Sequence, residues 1–167
     1  MAATKWTVQQ IPSLTGKTAP VTGANSGIGY QAALELARHG AHVLLACRNA
    51  AKGLAALERL KREAPGAAAE LVEVDMASLA SIRSFATAFA GRGIPLDLLI
   101  HNAGVTALPK REVTVDGFER QFGTNHLGRF AAMNNPASSA QTQEILGWKP
   151  QQPGLIVDLD RESYFAT

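Results

Sequence analysis

The stretch TGANSGIG, from Thr22 to Gly29, stands between a short apolar run at 18–21 and an alanine- and leucine-rich segment at 28–39. The apolar run predicts a strand, and the second segment predicts a helix that stops at Gly40. Glycines at such a turn let the backbone approach a pyrophosphate, and the helix start offers unpaired N–H groups and the positive end of its dipole. The spacing TGxxxGxG in this context predicts a dinucleotide-binding loop, in preference to a turn that only packs a helix on a strand.

Strands and helices alternate on both sides of this loop. Further strands are predicted at 41–47, 71–75 and 96–100, and further helices around 54–61, 78–89 and 115–132. Repeats of this length imply parallel strands joined by right-handed crossovers. The predicted fold is α/β, a truncated Rossmann-like doubly wound parallel sheet of about four strands with helices on both faces. We expect one nucleotide-binding domain over 1–133 and a short tail packed on it over 134–167.

Composition excludes several classes of function. A net charge of +2 is too small to favour nucleic acid or an anionic membrane as a partner. The chain has a single cysteine, Cys47, so no intramolecular disulfide can form, and no stretch is apolar enough to cross a membrane. The four histidines share no metal-ligand spacing, so no metal site is predicted. We expect a cytoplasmic protein.

Four more motifs follow the loop in order: ACRN at 46–49, VDMASLASIRSF at 74–85, LLIHNAG at 98–104 and FGTNHLGRF at 122–130. Together with the loop, they make residues 14–130 resemble the short-chain dehydrogenase/reductase family. The resemblance points to the branch of retinol-dehydrogenase-like and protochlorophyllide-reductase-like enzymes. It implies an oxidoreductase that transfers hydride with a nicotinamide cofactor and a small-molecule substrate, whose identity the sequence leaves open.

The loop and the motifs together give a set of predicted cofactor-binding residues: Thr22, Gly23, Asn25, Ser26, Gly27, Ile28, Gly29, Arg48, Asp75, Met76, Asn102, Ala103 and Gly104. Arg48 follows the second strand, where the adenosine ribose of such cofactors lies, and no acidic residue accompanies it. Because a guanidinium matches a 2′-phosphate in shape and charge, NADP is the predicted cofactor.

The resemblance also implies what several of these positions, and Asn125, would do. Asp75 and the backbone of Met76 would contact the adenine amine, and Asn102 to Gly104 would border the cofactor ribose. Asn125 matches the family's helix asparagine, which holds a water in the proton relay and is the one catalytic candidate. Its side-chain amide could instead support a kink in the helix, and the two readings are about even.

The acid/base pair of the family, Tyr-x-x-x-Lys, does not occur among the 167 residues. The motif needs a lysine four residues after the tyrosine. Tyr30 has Leu34 at that position, and the position for Tyr164 would be 168, after the last given residue, Thr167. The tail at about 136–165 resembles the C-terminal end of epimerase-like relatives, so a fusion, a deletion or a gene-model error is expected. Three readings stay open: an NADP-binding protein that is inactive or very weak alone, an NADP-dependent enzyme that completes its site from another chain or uses an unrecognised acid, and a non-catalytic interaction or regulatory module.

Two features predict marginal stability. The fourth strand would present an open apolar edge, which favours homo-oligomers formed through that edge. Pro20 lies in the first, central strand, where a proline cannot donate a ladder hydrogen bond.

Overall fold

The computed structural model describes residues 7–133, and predictions for 134–167 lie outside these residues. They concern the short tail expected over 134–167 and its resemblance at about 136–165. The described residues divide into two compact units, 7–75 with 88–104 and 76–87 with 105–133.

The first unit is built on a parallel sheet in the order β1-β2-β3. The strands are β1 (Thr18–Thr22), β2 (His42–Cys47) and β3 (Ala69–Glu73). All of β1 and nearly all of β2 are buried, as expected for parallel strands covered on both faces. Helix α1 (Gly27–Arg38) joins β1 to β2, and helix α2 (Ala50–Glu63) joins β2 to β3. The predicted α/β class with a parallel sheet and flanking helices is confirmed.

Helical periodicity decides which faces of α1 and α2 meet the sheet. The face of α1 that is buried carries Tyr30, Ala33, Leu34 and Ala37, spaced three and four residues apart. Helix α2 begins where the Asn49 side chain accepts a hydrogen bond from the Lys52 amide at 2.9 Å. Small residues on its inner face let α2 lie close to the sheet. A Cβ at Gly53 would be 3.3 Å from the Cβ of Cys47 and would overlap the Leu71 side chain.

The predicted fourth strand at 96–100 is the main correction to the fold. These residues follow β1 in parallel, with Leu98 N donating to Thr18 O at 3.1 Å and Ile100 N to Pro20 O at 2.9 Å. Within residues 7–133, however, their pairing is limited to a single bridge, Val21 with Ile100. The described sheet therefore has three full strands and one partly paired segment, residues 96–100.

Pro20 explains why residues 96–100 do not form a full strand beside β1. The N–H and C=O of a strand residue point to the same side, and the Pro20 carbonyl accepts from Ile100. Thr22 N also donates to Ile100 O at 3.0 Å, so three ladder bonds form. In a continuous parallel ladder, the residue-20 amide would add a fourth by donating to the Leu98 carbonyl. Proline has no N–H, so that ladder bond is missing and the regular strand is interrupted there.

The second unit contains most of helix α3 (Leu79–Ala90) and a shorter helical region near its end. Ser78 caps α3 as predicted, with its hydroxyl accepting from the Ser81 amide at 3.2 Å. Asp116 adds a cap that the sequence did not reveal, because its carboxylate accepts from the Leu79 amide at 2.9 Å. In residues 7–133, no helix is long and apolar enough to span a membrane.

The helix predicted from Val115 begins later, at Arg120, and this start is a second correction. Glu119 is its N-cap, with carboxylate oxygens that accept from the Gln121 and Phe122 amides at 2.9 and 2.8 Å. The preceding residues form a turn, in which Thr114 N donates to Phe118 O at 2.8 Å. The helical region continues as Arg120–Phe122, the π-helical Gly123–Leu127 and Gly128–Met133.

Asp97 fastens the start of the 96–100 segment to β1, and this clamp predicts a pH dependence. Its carboxylate pairs with Lys17 Nζ at 2.8 Å and accepts from the Thr18 amide at 2.9 Å. Both contacts favour the ionised form, the Lys17 contact more strongly, so the pKa of Asp97 lies below its usual value. The stabilisation is thus complete above the ordinary aspartate pKa of about 3.9 and is lost as pH falls through the lower folded pKa.

We therefore expect Asp97→Asn to be less stable than the native chain at pH 7, with the difference shrinking at about pH 3 and below. Urea unfolding of both proteins across this range measures it. A stability difference that is constant with pH would contradict the clamp, because other carboxyl groups are common to both proteins.

Candidate functional site

The carboxyl ends of the three strands meet at one edge of the sheet. The register pairs Thr22 with Ala46 and Cys47 with Glu73, so the chain leaves β1, β2 and β3 at neighbouring points. The predicted residues Arg48 and Asp75 follow β2 and β3 directly, on the same edge as the glycine loop. Between β1 and the 96–100 segment the strand order reverses, and open α/β sheets bind ligands in the crevice at such a point.

The three loop glycines are needed for three different reasons. Gly23 has φ +68°, and a Cβ there would lie 3.0 Å from the Ala103 Cα. Gly27 has φ +56°, but a Cβ there would meet no atom within 4 Å. Gly29 is confined by packing, because a Cβ would overlap the Asn102 side chain and the Gly23 carbonyl. Only Gly27 therefore presents its bare backbone to open space, as close approach of a ligand phosphate requires.

The start of α1 leaves hydrogen-bond donors available beside Gly27. Ser26 is the N-cap, but its side chain makes no capping hydrogen bond, and the first turn contains no acidic residue. Amides of the first turn have no acceptor within the helix, and the dipole favours an anion there. The apolar side chain of Ile28 is 83% exposed at this end of the helix, next to the glycine loop. The start of α1 therefore offers unpaired amide donors that could bind an anion.

Thr22 ties the loop to the predicted Asn102-Ala103-Gly104 motif. Its hydroxyl accepts from the amides of Asn102 and Ala103, each at 3.0 Å. The Asn102 amide group in turn donates to the Thr22 carbonyl at 3.0 Å. The structure therefore brings Thr22, Gly23, Asn102 and Ala103 together, and these contacts give the motif a supporting role behind the loop.

Cys47 belongs to the ACRN motif, but the sequence analysis gave it no role beside the glycine loop. Burial raises the pKa of its thiol, and hydrogen bonds from the backbone amides of Ala24 and Asn25 only partly oppose this rise. The thiol therefore stays protonated and supports the loop from below. The local signal was its place as the last residue of a buried strand, next to the end of β1.

Asn125 lies in the second unit, within the π-helical residues Gly123–Leu127. Its Oδ1 accepts from the Val105 amide and its Nδ2 donates to the Val105 carbonyl, both at 2.7 Å. The amide is thus engaged with backbone, as expected for the kink-supporting reading, and the water-relay role remains a prediction. Met76 also belongs to this unit, where its carbonyl lies against Gly128.

Residues 17–146 match the family of short chain dehydrogenases. The chain belongs to this family. At its C-terminal end, the match continues past residue 130, where the motifs end, to residue 146. A short-chain dehydrogenase relative, human retinol dehydrogenase 13, is 48% identical over 122 residues, which are 73% of this chain and 37% of that protein. The WW domain-containing oxidoreductase of Pongo abelii is 49% identical over 116 residues, 70% of this chain and 28% of that protein.

A solved structure, the Pseudomonas aeruginosa RhlG/NADP active-site complex, superimposes with a TM-score of 0.63 at 27% identity. The alignment covers 85% of this chain and 52% of that one. The chain thus spans 28% and 37% of the two curated relatives above.

Proposed function

We propose that the carboxyl edge of the first unit binds a nicotinamide dinucleotide. The observation that carries this proposal is the open face of Gly27 beside the uncapped start of α1. In this proposal, the backbone from Gly23 to Gly29 holds the pyrophosphate and Asp75 lies near the adenine. Asn102 and Ala103 support the ribose side of the site. When bound, the nicotinamide would supply the hydride acceptor or donor.

NADP is the proposed form of the cofactor. Arg48 is exposed directly after β2, and among residues 7–133 its guanidinium forms no ion pair. The following helix α2 has no acidic residue in its first turn that would repel a phosphate. A guanidinium can donate two hydrogen bonds to a 2′-phosphate and matches its charge. The 2′-hydroxyl of NAD has no charge for the guanidinium to match. The NADP complex of the Pseudomonas aeruginosa relative agrees with this choice.

Hydride transfer by this chain alone is not part of the proposal. Reduction of a carbonyl needs a proton donor near the nicotinamide, and no Tyr-x-x-x-Lys pair is present among the 167 residues. We propose that these 167 residues form an NADP-binding part of an oxidoreductase-family protein, and that turnover needs an acid/base group from outside them.

Calorimetric titration of the full chain with NADPH and with NADH tests the proposal. We expect saturable binding of one equivalent of NADPH, at least about tenfold tighter than NADH, a margin of ~1.4 kcal/mol. Equal affinities would remove the NADP preference but keep the dinucleotide site. Absence of binding by a protein with a cooperative thermal transition would reject the site and favour the interaction-module reading.

A further inference from the structure

The interrupted pairing beside Pro20 has a consequence for the nucleotide site. Residues 96–104 are held to β1 by side-chain contacts at their two ends and by backbone hydrogen bonds between them, from Leu98 N to Thr18 O at 3.1 Å, Ile100 N to Pro20 O at 2.9 Å and Thr22 N to Ile100 O at 3.0 Å. At one end, Asp97 binds Lys17 and the Thr18 amide, and Lys17 is 55% exposed, so water screens this contact. At the other end, the Thr22 hydroxyl and carbonyl bind Asn102 and Ala103. Between them, the Leu98 carbonyl has no ladder donor, because residue 20 is proline.

The opposite side of β1 is held more firmly. Five consecutive residues of β1 pair with five of β2, from Thr18 with His42 to Thr22 with Ala46. The ladder is continuous there, since the missing N–H of Pro20 points away from β2. Residues 96–104 are therefore the part of the described sheet most easily detached, as a local opening that costs less than global unfolding.

We propose that residues 96–104 dock onto β1 in a step separate from the rest of the sheet, that Pro20 weakens this docking, and that dinucleotide binding is linked to it. The proposed link rests on the nucleotide site proposed above. It runs through Asn102 and Ala103, which lie against Gly23 and Gly29 and so form the back of the glycine loop. When residues 96–104 are detached, the glycine loop loses the contacts that fix its shape. We therefore expect the nucleotide to bind the docked form more tightly than the detached form, and so to shift the equilibrium towards docking.

Amide hydrogen exchange of the free full chain tests the docking step. In the native chain, the amides of Leu98, Ile100 and Asn102 should exchange faster than that of Val43, which donates to Ala68 O at 2.9 Å in the β2–β3 ladder. In Pro20→Ala, which restores the missing N–H, we expect their exchange relative to Val43 to slow about tenfold, equivalent to ~1.4 kcal/mol.

Pro65→Ala is the matched control. Pro65 is exposed after α2, so this substitution changes the freedom of the unfolded chain similarly but restores no ladder bond. It should leave the ratio of Ile100 to Val43 exchange unchanged. An unchanged ratio in Pro20→Ala would overturn the proposal. If that variant fails to fold, equal protection of Ile100 and Val43 in the native chain would overturn it instead.

Exchange in the presence of saturating NADPH tests the linkage separately. We expect protection at Ile100 and Asn102 to rise by more than that at Val43. Bound NADPH without this extra protection would overturn the linkage. If NADPH does not bind, the proposed function fails, and the exchange ratios of the free protein still decide whether the segment docks separately.

Discussion

Gly27→Val is expected to abolish measurable NADPH binding while leaving the protein folded. The new side chain would project into the open space beside the start of α1, where we place the pyrophosphate. A loss of at least about hundredfold in affinity, ~2.7 kcal/mol, is expected because the phosphate could no longer reach the backbone amides. The substitution also carries a strain of about 1–2 kcal/mol, since residue 27 has a left-handed conformation. Calorimetric titration gives the affinity, and thermal unfolding reports the fold.

Gly16→Val separates the steric effect on the ligand from backbone strain. Gly16 has φ +79°, and a Cβ there would also meet nothing within 4 Å, but it lies before β1 at the far end of the strand. This control should lose comparable stability and retain NADPH affinity. Gly23→Val should abolish binding as well, although its closeness to Ala103 predicts a larger loss of stability. Unchanged affinity in Gly27→Val would place the nucleotide elsewhere.

Local sequence signals were sufficient to predict an element where its limits are set by its own residues and their immediate neighbours. The apolar runs that form β1 and β2 are bounded by polar or glycine residues, so the predicted limits differ from the observed ones by one residue. The third strand was predicted at 71–75 and is observed as Ala69–Glu73. Its alternating pattern continues into flanking residues, and pairing with β2 decides where it ends.

Errors arose where the deciding partner is distant in sequence. Pro20 was identified as unfavourable in a central strand, but only the Ile100 contact shows which side of β1 it affects and why 96–100 is not a full strand. The helix at 115 was placed too early because Glu119 acts through its side chain as a cap. The spacing of apolar residues, from which the helix was predicted, contains no information about such a cap.

The site was predictable in outline for a topological reason. Ends of neighbouring parallel strands share an edge, so Gly23, Arg48 and Asp75 could be grouped from the strand order alone. The contacts that support these residues could not be predicted in this way. The amides of Ala24 and Asn25 reach the Cys47 thiol, and Asn125 binds Val105, across separations of about 20 residues that have no periodic signature.

Arg48→Asp is expected to reverse the cofactor preference from NADPH to NADH. The carboxylate would repel the 2′-phosphate and could accept hydrogen bonds from the ribose hydroxyls of NAD. We expect NADPH affinity to fall about ten- to a hundredfold, ~1.4–2.7 kcal/mol, from the loss of a charge-assisted bidentate contact. NADH affinity should stay level or rise. Parallel titrations of the native and variant chains with both nucleotides give the preference ratio directly.

Two further variants make this result specific to the guanidinium. Arg62→Asp changes the net charge equally, but it lies in the last turn of α2, away from the carboxyl edge of the sheet, and should leave the ratio unchanged. Arg48→Lys keeps the charge but lacks the planar fork of donors, so its preference should fall between those of the native chain and Arg48→Asp. An equal shift in the Arg62 variant would mean that net charge sets the preference. An unchanged ratio in Arg48→Asp would show that another residue reads the 2′-phosphate, because a carboxylate in contact with that group cannot leave NADPH binding unaffected.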